Sequence, residues 1–246
     1  MKLRTLRARP VMVPIRRPPV SASGAIPKAA LVLFDLESDE GVTGRSYVFA
    51  FAPWTLAPIV GCAQGLFEMV KGDPLAPVDL EAKLRRQLTL LDSPGLVGLA
   101  LAGIDMAAWD ALAQAQGVPL VGLLGGAVKS IPAYNSTGLW LQPAETLPDE
   151  ADALLAEGFS AVKLRLGRDD FTQDLAAVRA VKQRIGDRIL MCDFNQRLTV
   201  NEAIRRARAL DGEGLYWIEE PVRHDDYEGY AVPAAPAGRR CAGLGA

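Results

Sequence analysis

The chain has 246 residues, half of them apolar, with 27 basic against 29 acidic side chains and a formal net charge of −2. That length suits one large domain or two smaller ones with ample material for a core, and the balanced charge leaves no electrostatic footprint for nucleic acid. The three cysteines, Cys62, Cys192 and Cys241, are odd in number and far apart, which argues against a disulfide framework and fits a reducing cytoplasm.

The basic opening, "MKLRTLRARP", is followed by no apolar h-region, so no signal peptide is expected. "RTLRARPVMVPI" reads as a first strand. "PPVSASGAIPK" reads as a flexible Gly/Ser/Pro loop of the kind that often serves as a lid. "AALVLFDLESD" alternates as a second strand, and the turn signal Ser38-Asp39-Glu40-Gly41 joins it to a third, "EGVTGRSYVFAF". "PVDLEAKLRRQLTLL" has helical periodicity. "GLVGLALAGIDMAAWDALAQAQG" is apolar almost all round and is expected to be buried. It is the nearest approach to a membrane span, but it carries Asp105 and Asp110, expected to be paired structural carboxylates. Gln116-Gly117 ends this helix, with Pro119 beyond it. These elements predict an α+β domain over residues 1–125.

From Ser130 the rhythm becomes alternating. Strands are expected at "IPAYNS", "SAVKLRL", "RILMCDFN" and "LYWIE". Helices are expected at "LPDEADALLAEGF", "DDFTQDLAAVRAVKQRIG" and "TVNEAIRRARALDGEG". Strict alternation means parallel strands with helical crossovers, an open sheet or the first half of a barrel.

In such folds the C-terminal strand ends form the working face. Three successive strands place charge there: Lys163 and Arg165, then Asp193 and Asn195, then Glu219 and Glu220. Each has a plain structural alternative. The cations could alternate outward on a half-exposed strand, Asp193 and Asn195 could cap the next helix, and the glutamates could be a solvated strand end. Cys192 reads as a core residue and His224 as a surface residue. Strand alternation puts Glu219 and Glu220 on opposite sides, so one of them faces the centre. Hard oxygen ligands on separate strands suit Mg²⁺, and flanking cations suit a substrate carboxylate. Together they suit removal of a proton next to a carboxylate, with the metal taking up the developing charge.

The order Lys-x-basic, Asp-x-Asn, Glu-Glu-Pro on successive strands resembles the enolase superfamily, and more narrowly its mandelate racemase subgroup. "AALVLFDL", "AGIDMAAWDAL" and "RHDDYEGY" extend the resemblance from about Leu3 to about Tyr230. It implies an α+β capping domain over 1–125 and a (β/α)7β barrel whose first four βα units span 126–230. It implies a Mg²⁺ held by Asp193 and Glu219, with Glu220 facing away to pair or cap. Lys163 would neutralise the substrate carboxylate, and Asn195 would hydrogen-bond beside the metal. Ser21 and Ala25, in the loop to Pro27, and Trp54, in the segment from Phe49, would cover the substrate. The substrate would be a small 2-hydroxy carboxylate. No nucleic-acid or membrane partner is implied, and the full-length family form is a homo-oligomer.

Two features depart from that pattern. Arg165 stands where the racemase pattern has a second lysine, and a guanidinium is a poor general base. One-base chemistry, such as dehydration of an acid sugar, therefore rivals racemisation. The text after Tyr230, "AVPAAPAGRRCAGLGA", reads as an aberrant tail over 231–246, a frameshift or truncation. Four βα units cannot close an eight-stranded barrel, so the chain as written is expected to bind Mg²⁺ weakly, aggregate readily and lack turnover. A non-catalytic fragment is the alternative outside the enzyme class.

Overall fold

The computed structural model describes residues 1–91, 94–234 and 240–242. In chain order the strands are β1 (Leu3–Pro14), β2 (Val20–Ser21), β3 (Gly24–Ala25), β4 (Lys28–Ser38) and β5 (Thr43–Phe49). The helices α1 (Leu56–Val70), α2 (Pro77–Gln87), α3 (Leu96–Gln116), α4 (Leu120–Leu123) and α5 (Leu147–Ala156) follow. The chain then alternates through β6 (Ala161–Arg165), α6 (Phe171–Ile185), β7 (Ile189–Asp193), α7 (Val200–Leu210), β8 (Trp217–Glu219), α8 (Tyr227–Ala234) and β9 (Arg240–Ala242). Two compact units result: residues 1–15 with 28–130, and residues 16–27 with 131–246. The division falls five residues beyond the expected boundary at 125, and the expected lid loop belongs to the second unit.

The first unit is an antiparallel sheet in the order β1-β4-β5, backed by helices. β4 alternates strictly: Ala30, Val32, Phe34 and Leu36 are buried, while Asp35 and Glu37 point to the other face. There they meet Arg4, Arg7, Arg9 and Arg45 in a ladder of exposed ion pairs. α3 lies close on the sheet because two glycines allow it. A Cβ on Gly44 would come within 1.9 Å of the Ala107 carbonyl oxygen, and one on Gly103 within 2.4 Å of the Phe34 ring. Gly117 closes α3 in the left-handed conformation, at φ 65°.

The expectation that α3 is buried on all sides is corrected. One face, including Ala100, Ile104, Ala107 and Ala111, is in the core, but Met106 is exposed. Among the described residues α3 is the one helix long and apolar enough to cross a membrane, and much of it is instead packed within this unit. Its two acids are held locally: Asp110 accepts from the Arg45 amide and the Gln114 side chain, and Asp105 from the Trp109 indole. α1 was not anticipated. Pro58, Gly61 and Gly65 disguise it, yet Ile59, Ala63, Leu66, Phe67 and Val70 recur at helical spacing and are buried. Proline is tolerated there because it sits in the first turn.

The second unit is a parallel sheet in the order β6-β7-β8-β9. Val162, Leu164 and Leu166 pack with Val178 and Val181 of α6 and with Leu190 and Cys192 of β7 in one apolar cluster. The expected strand at "IPAYNS" is reduced to one parallel bridge, Asn135 with Val162. Pro132 lacks the donor a ladder needs, and Ser136-Thr137-Gly138 is turn chemistry. The expected loop at 18–28 instead holds a small hairpin, β2 paired with β3. The expected tail boundary at Tyr230 falls inside α8, and 240–242 pair in parallel with β8. The rest of the tail lies outside the described residues.

Candidate active site

Strand register assembles the site. Arg165 pairs with Asp193, and Asp193 pairs with Glu219, so three charged side chains form one row across β6, β7 and β8 at their C-terminal ends. Lys163 stands two residues earlier on the same face of β6. Its ammonium donates to Glu219 Oε1 at 2.9 Å and lies 3.1 Å from Asp193 Oδ2. Lys163 and Arg165 are only 6% and 7% exposed, which removes the reading of an outward-facing strand. Burying such charges is costly unless they are paired, and here they are paired with each other's neighbours.

Arg165 is held on several sides. Nη1 donates to the Lys163 carbonyl at 3.3 Å, Nη2 donates to Ser136 Oγ at 3.1 Å, and Nε lies 3.7 Å from Asp193 Oδ2. The Trp140 ring covers the guanidinium, with 4.6 Å between ring centre and Cζ. Burial lowers the Arg165 pKa from its ordinary value, while Asp193 and Glu219 pull it back up. Tyr134 and Trp217 line the Lys163 side: the ammonium lies 5.9 Å from the Tyr134 ring, and the Trp217 indole donates to Glu219 Oε2 at 3.2 Å. Sequence reading missed Ser136, Tyr134 and Trp140, because they lie on a segment with no regular register to place them.

After β7 the chain turns sharply through Asn195 and Gln196, both at positive φ (47° and 63°). The turn folds Asn195 back on Asp193. Its backbone N–H donates to Oδ1 at 2.7 Å and its side-chain amide to Oδ2 at 3.2 Å. Strict alternation would carry Glu220 to the outer face. Its backbone φ is 44°, and its buried carboxylate accepts from Gln196 Nε2 at 3.3 Å. Burial raises its pKa above the ordinary 4.5, with Asp193 adding to the effect. His224, the sole histidine, is exposed and bonded to Gln196 at 3.0 Å. Cys192 is fully buried, and that burial pushes its thiol pKa well up, so it is a core residue and a poor nucleophile.

The β2–β3 hairpin lies on these strand ends. Ser23 Oγ donates to the Asn195 carbonyl at 3.0 Å, and the Ala22 methyl fills the space above Gly167. Ser21 and Ala25 belong to this hairpin. Trp54 belongs to the first unit, where it is 74% exposed.

The chemistry of the donors fits a divalent cation. Asp193 and Glu219 offer hard oxygens from adjacent strands, and Asn195 Oδ1 is a buried amide oxygen with no hydrogen-bond partner among the described residues. Among the described residues no cluster of three or more His, Cys, Asp or Glu side chains forms a cage. Mg²⁺ does not need one, since one or two carboxylates with waters suffice.

The first unit and the second match known families separately. Residues 3–125 match the mandelate racemase / muconate lactonizing enzyme N-terminal domain, and residues 146–240 match the enolase C-terminal domain-like family. The chain belongs to the mandelate racemase / muconate lactonizing enzyme family of the enolase superfamily. Its fold is accordingly that family's capping domain followed by its barrel domain. A 3,6-anhydro-alpha-L-galactonate cycloisomerase of Streptomyces coelicolor is 32% identical over 91% of this chain and 62% of its own length. An L-talarate/galactarate dehydratase of Salmonella typhimurium is 28% identical over 85% of this chain and 53% of its own length. The chain thus spans less than two thirds of either relative. A solved enolase from Bradyrhizobium, complexed with magnesium and mandelic acid, is 39% identical over 98% of this chain and 67% of its own, with a TM-score of 0.90.

Proposed function

We propose that these strand ends bind Mg²⁺ and a small 2-hydroxy carboxylate, and serve an enzyme that removes the proton next to the carboxylate. The row Arg165–Asp193–Glu219, with Lys163 bridging the two acids, carries this reading. The magnesium-bound Bradyrhizobium relative supports it. Asp193 and Glu219 would hold the metal, with Asn195 beside it. When bound, Mg²⁺ polarises the acid and offsets the charge that develops as the proton leaves. Lys163, released from part of its pairing, neutralises the substrate carboxylate. The β2–β3 hairpin, through Ser21 and Ala25, excludes water.

Racemisation needs a base on each face of the α-carbon. Arg165 keeps its proton at ordinary pH, so it anchors substrate and does not act as a base. That residue favours a second reading, dehydration of an acid sugar, to which the Salmonella relative lends support. The test is solvent deuterium exchange into each enantiomer of a 2-hydroxy acid by a full-length, metal-loaded protein. Exchange into one enantiomer is expected if Arg165 is an anchor. Equal exchange into both would contradict that role and restore racemisation.

A further inference from the structure

Among the described residues of the second unit, two buried polar atoms lack a partner: Asn195 Oδ1 and the Trp140 indole nitrogen. The second belongs to a residue whose place is tightly fixed. The Leu139 carbonyl accepts from the Arg165 amide at 2.9 Å, tying one side of Trp140 to β6. The Leu141 amide donates to the Val20 carbonyl at 3.0 Å, tying the other side to the β2–β3 hairpin. Leu139 adopts a φ of 53°, a conformation that costs a branched residue energy and is kept only where the surroundings impose it. The indole is thereby fixed over the Arg165 guanidinium, with its own N–H unmatched.

An indole N–H is a donor only, and so is a guanidinium. The group they await is an oxygen. In the site as read above, the substrate carboxylate goes to Lys163 and the metal. The oxygens of a hydroxy acid that remain are its hydroxyls, which accept from a donor-only N–H such as that of Trp140. We propose that Trp140 is a specificity-determining residue whose indole N–H donates to a hydroxyl oxygen of the bound acid. This rests on the hydroxy-acid reading of the site.

The test pairs hydroxy acids with their hydroxyl-free counterparts, galactarate with adipate and mandelate with phenylacetate, titrated into the Mg²⁺-loaded chain. Trp140→Phe keeps an aromatic face over Arg165 and removes the N–H. It is expected to weaken one or both hydroxy acids about tenfold and leave the hydroxyl-free partners unchanged. Trp140→Leu removes the face as well and is expected to weaken both members of each pair. Independently, ¹⁵N-indole spectra of the wild-type chain report on its four tryptophans. The Trp140 signal, assigned by Phe substitution of each tryptophan in turn, should move downfield with a hydroxy acid and stay put with its counterpart. If Trp140→Phe does not fold, the other three substitutions assign the signal by elimination. An unmoved signal, or equal losses for both members of each pair, would overturn the proposal while leaving the site reading intact. Failure of the wild-type chain to bind either hydroxy acid would overturn both.

Discussion

Lys163 is the residue that, among those described, pairs with both acids of the row. Replacing it by methionine leaves Asp193, buried at 2% exposure, beside Glu219 with less positive charge. Breaking a buried pair in this way costs about 3–5 kcal/mol. Lys163→Met should therefore unfold at lower denaturant in EDTA, and Mg²⁺ should restore part of the loss by supplying the missing charge. Stability in EDTA equal to that in Mg²⁺ would contradict a metal role for the two carboxylates. A second residue-scale effect lies in the first unit. Burial, reinforced by Glu81, raises the Asp105 pKa above its ordinary 3.8. The native state then holds this proton more tightly than the unfolded chain does. The contribution is fully present below pH 3.8 and is lost as pH rises through the folded-state pKa. Melting temperature plotted against pH should fall more steeply across that window for the wild type than for Asp105→Asn, which cannot titrate.

At the scale of elements, two close approaches decide the packing. In the second unit Asp174 of α6 is wholly buried and accepts from Arg168 and Arg206, each at 2.9 Å, and from the Gly167 amide at 3.0 Å. It ties the loop after β6 to α7. Asp174→Ala removes the buried carboxylate that two guanidinium groups share and should cost about 3–5 kcal/mol in denaturant unfolding, far more than loss of an exposed pair such as Arg197–Asp169. In the first unit Gly44→Ala would drive a methyl into the backbone of α3 and should cost about 1–3 kcal/mol. The regular elements were legible because their period is written in the sequence: β4 alternates, and α3 ends on its glycine. The hairpin at 20–25 and helix α1 were not, since proline, glycine and serine there signal loop locally and tertiary contacts overrule them. The residues of the charged row were legible as strand ends, but their register was not. Trp140 was invisible for a related reason, as it lies past the expected strand at 131–136, in a segment with no regular register to place it.

For the molecule as a whole, the parallel sheet explains why acids and bases can share one small volume. Adjacent strands deliver side chains in rows at their C-terminal ends, and helix packing below holds the strands in place. Family membership agrees with this architecture. The order of residues along the sequence was enough to propose a metal site; the pairing of Asp193 with Glu219, and the Lys163 ammonium between them, is what brings the proposed ligands together. The most direct measurement is a calorimetric Mg²⁺ titration of the wild-type chain, Asp193→Asn and Glu219→Gln, with mandelate then added to each. The account predicts saturable Mg²⁺ binding to the wild type, at least about tenfold weaker binding to either variant, and mandelate binding only in the presence of the metal. Identical Mg²⁺ isotherms for all three proteins, or mandelate binding that ignores the metal, would contradict it.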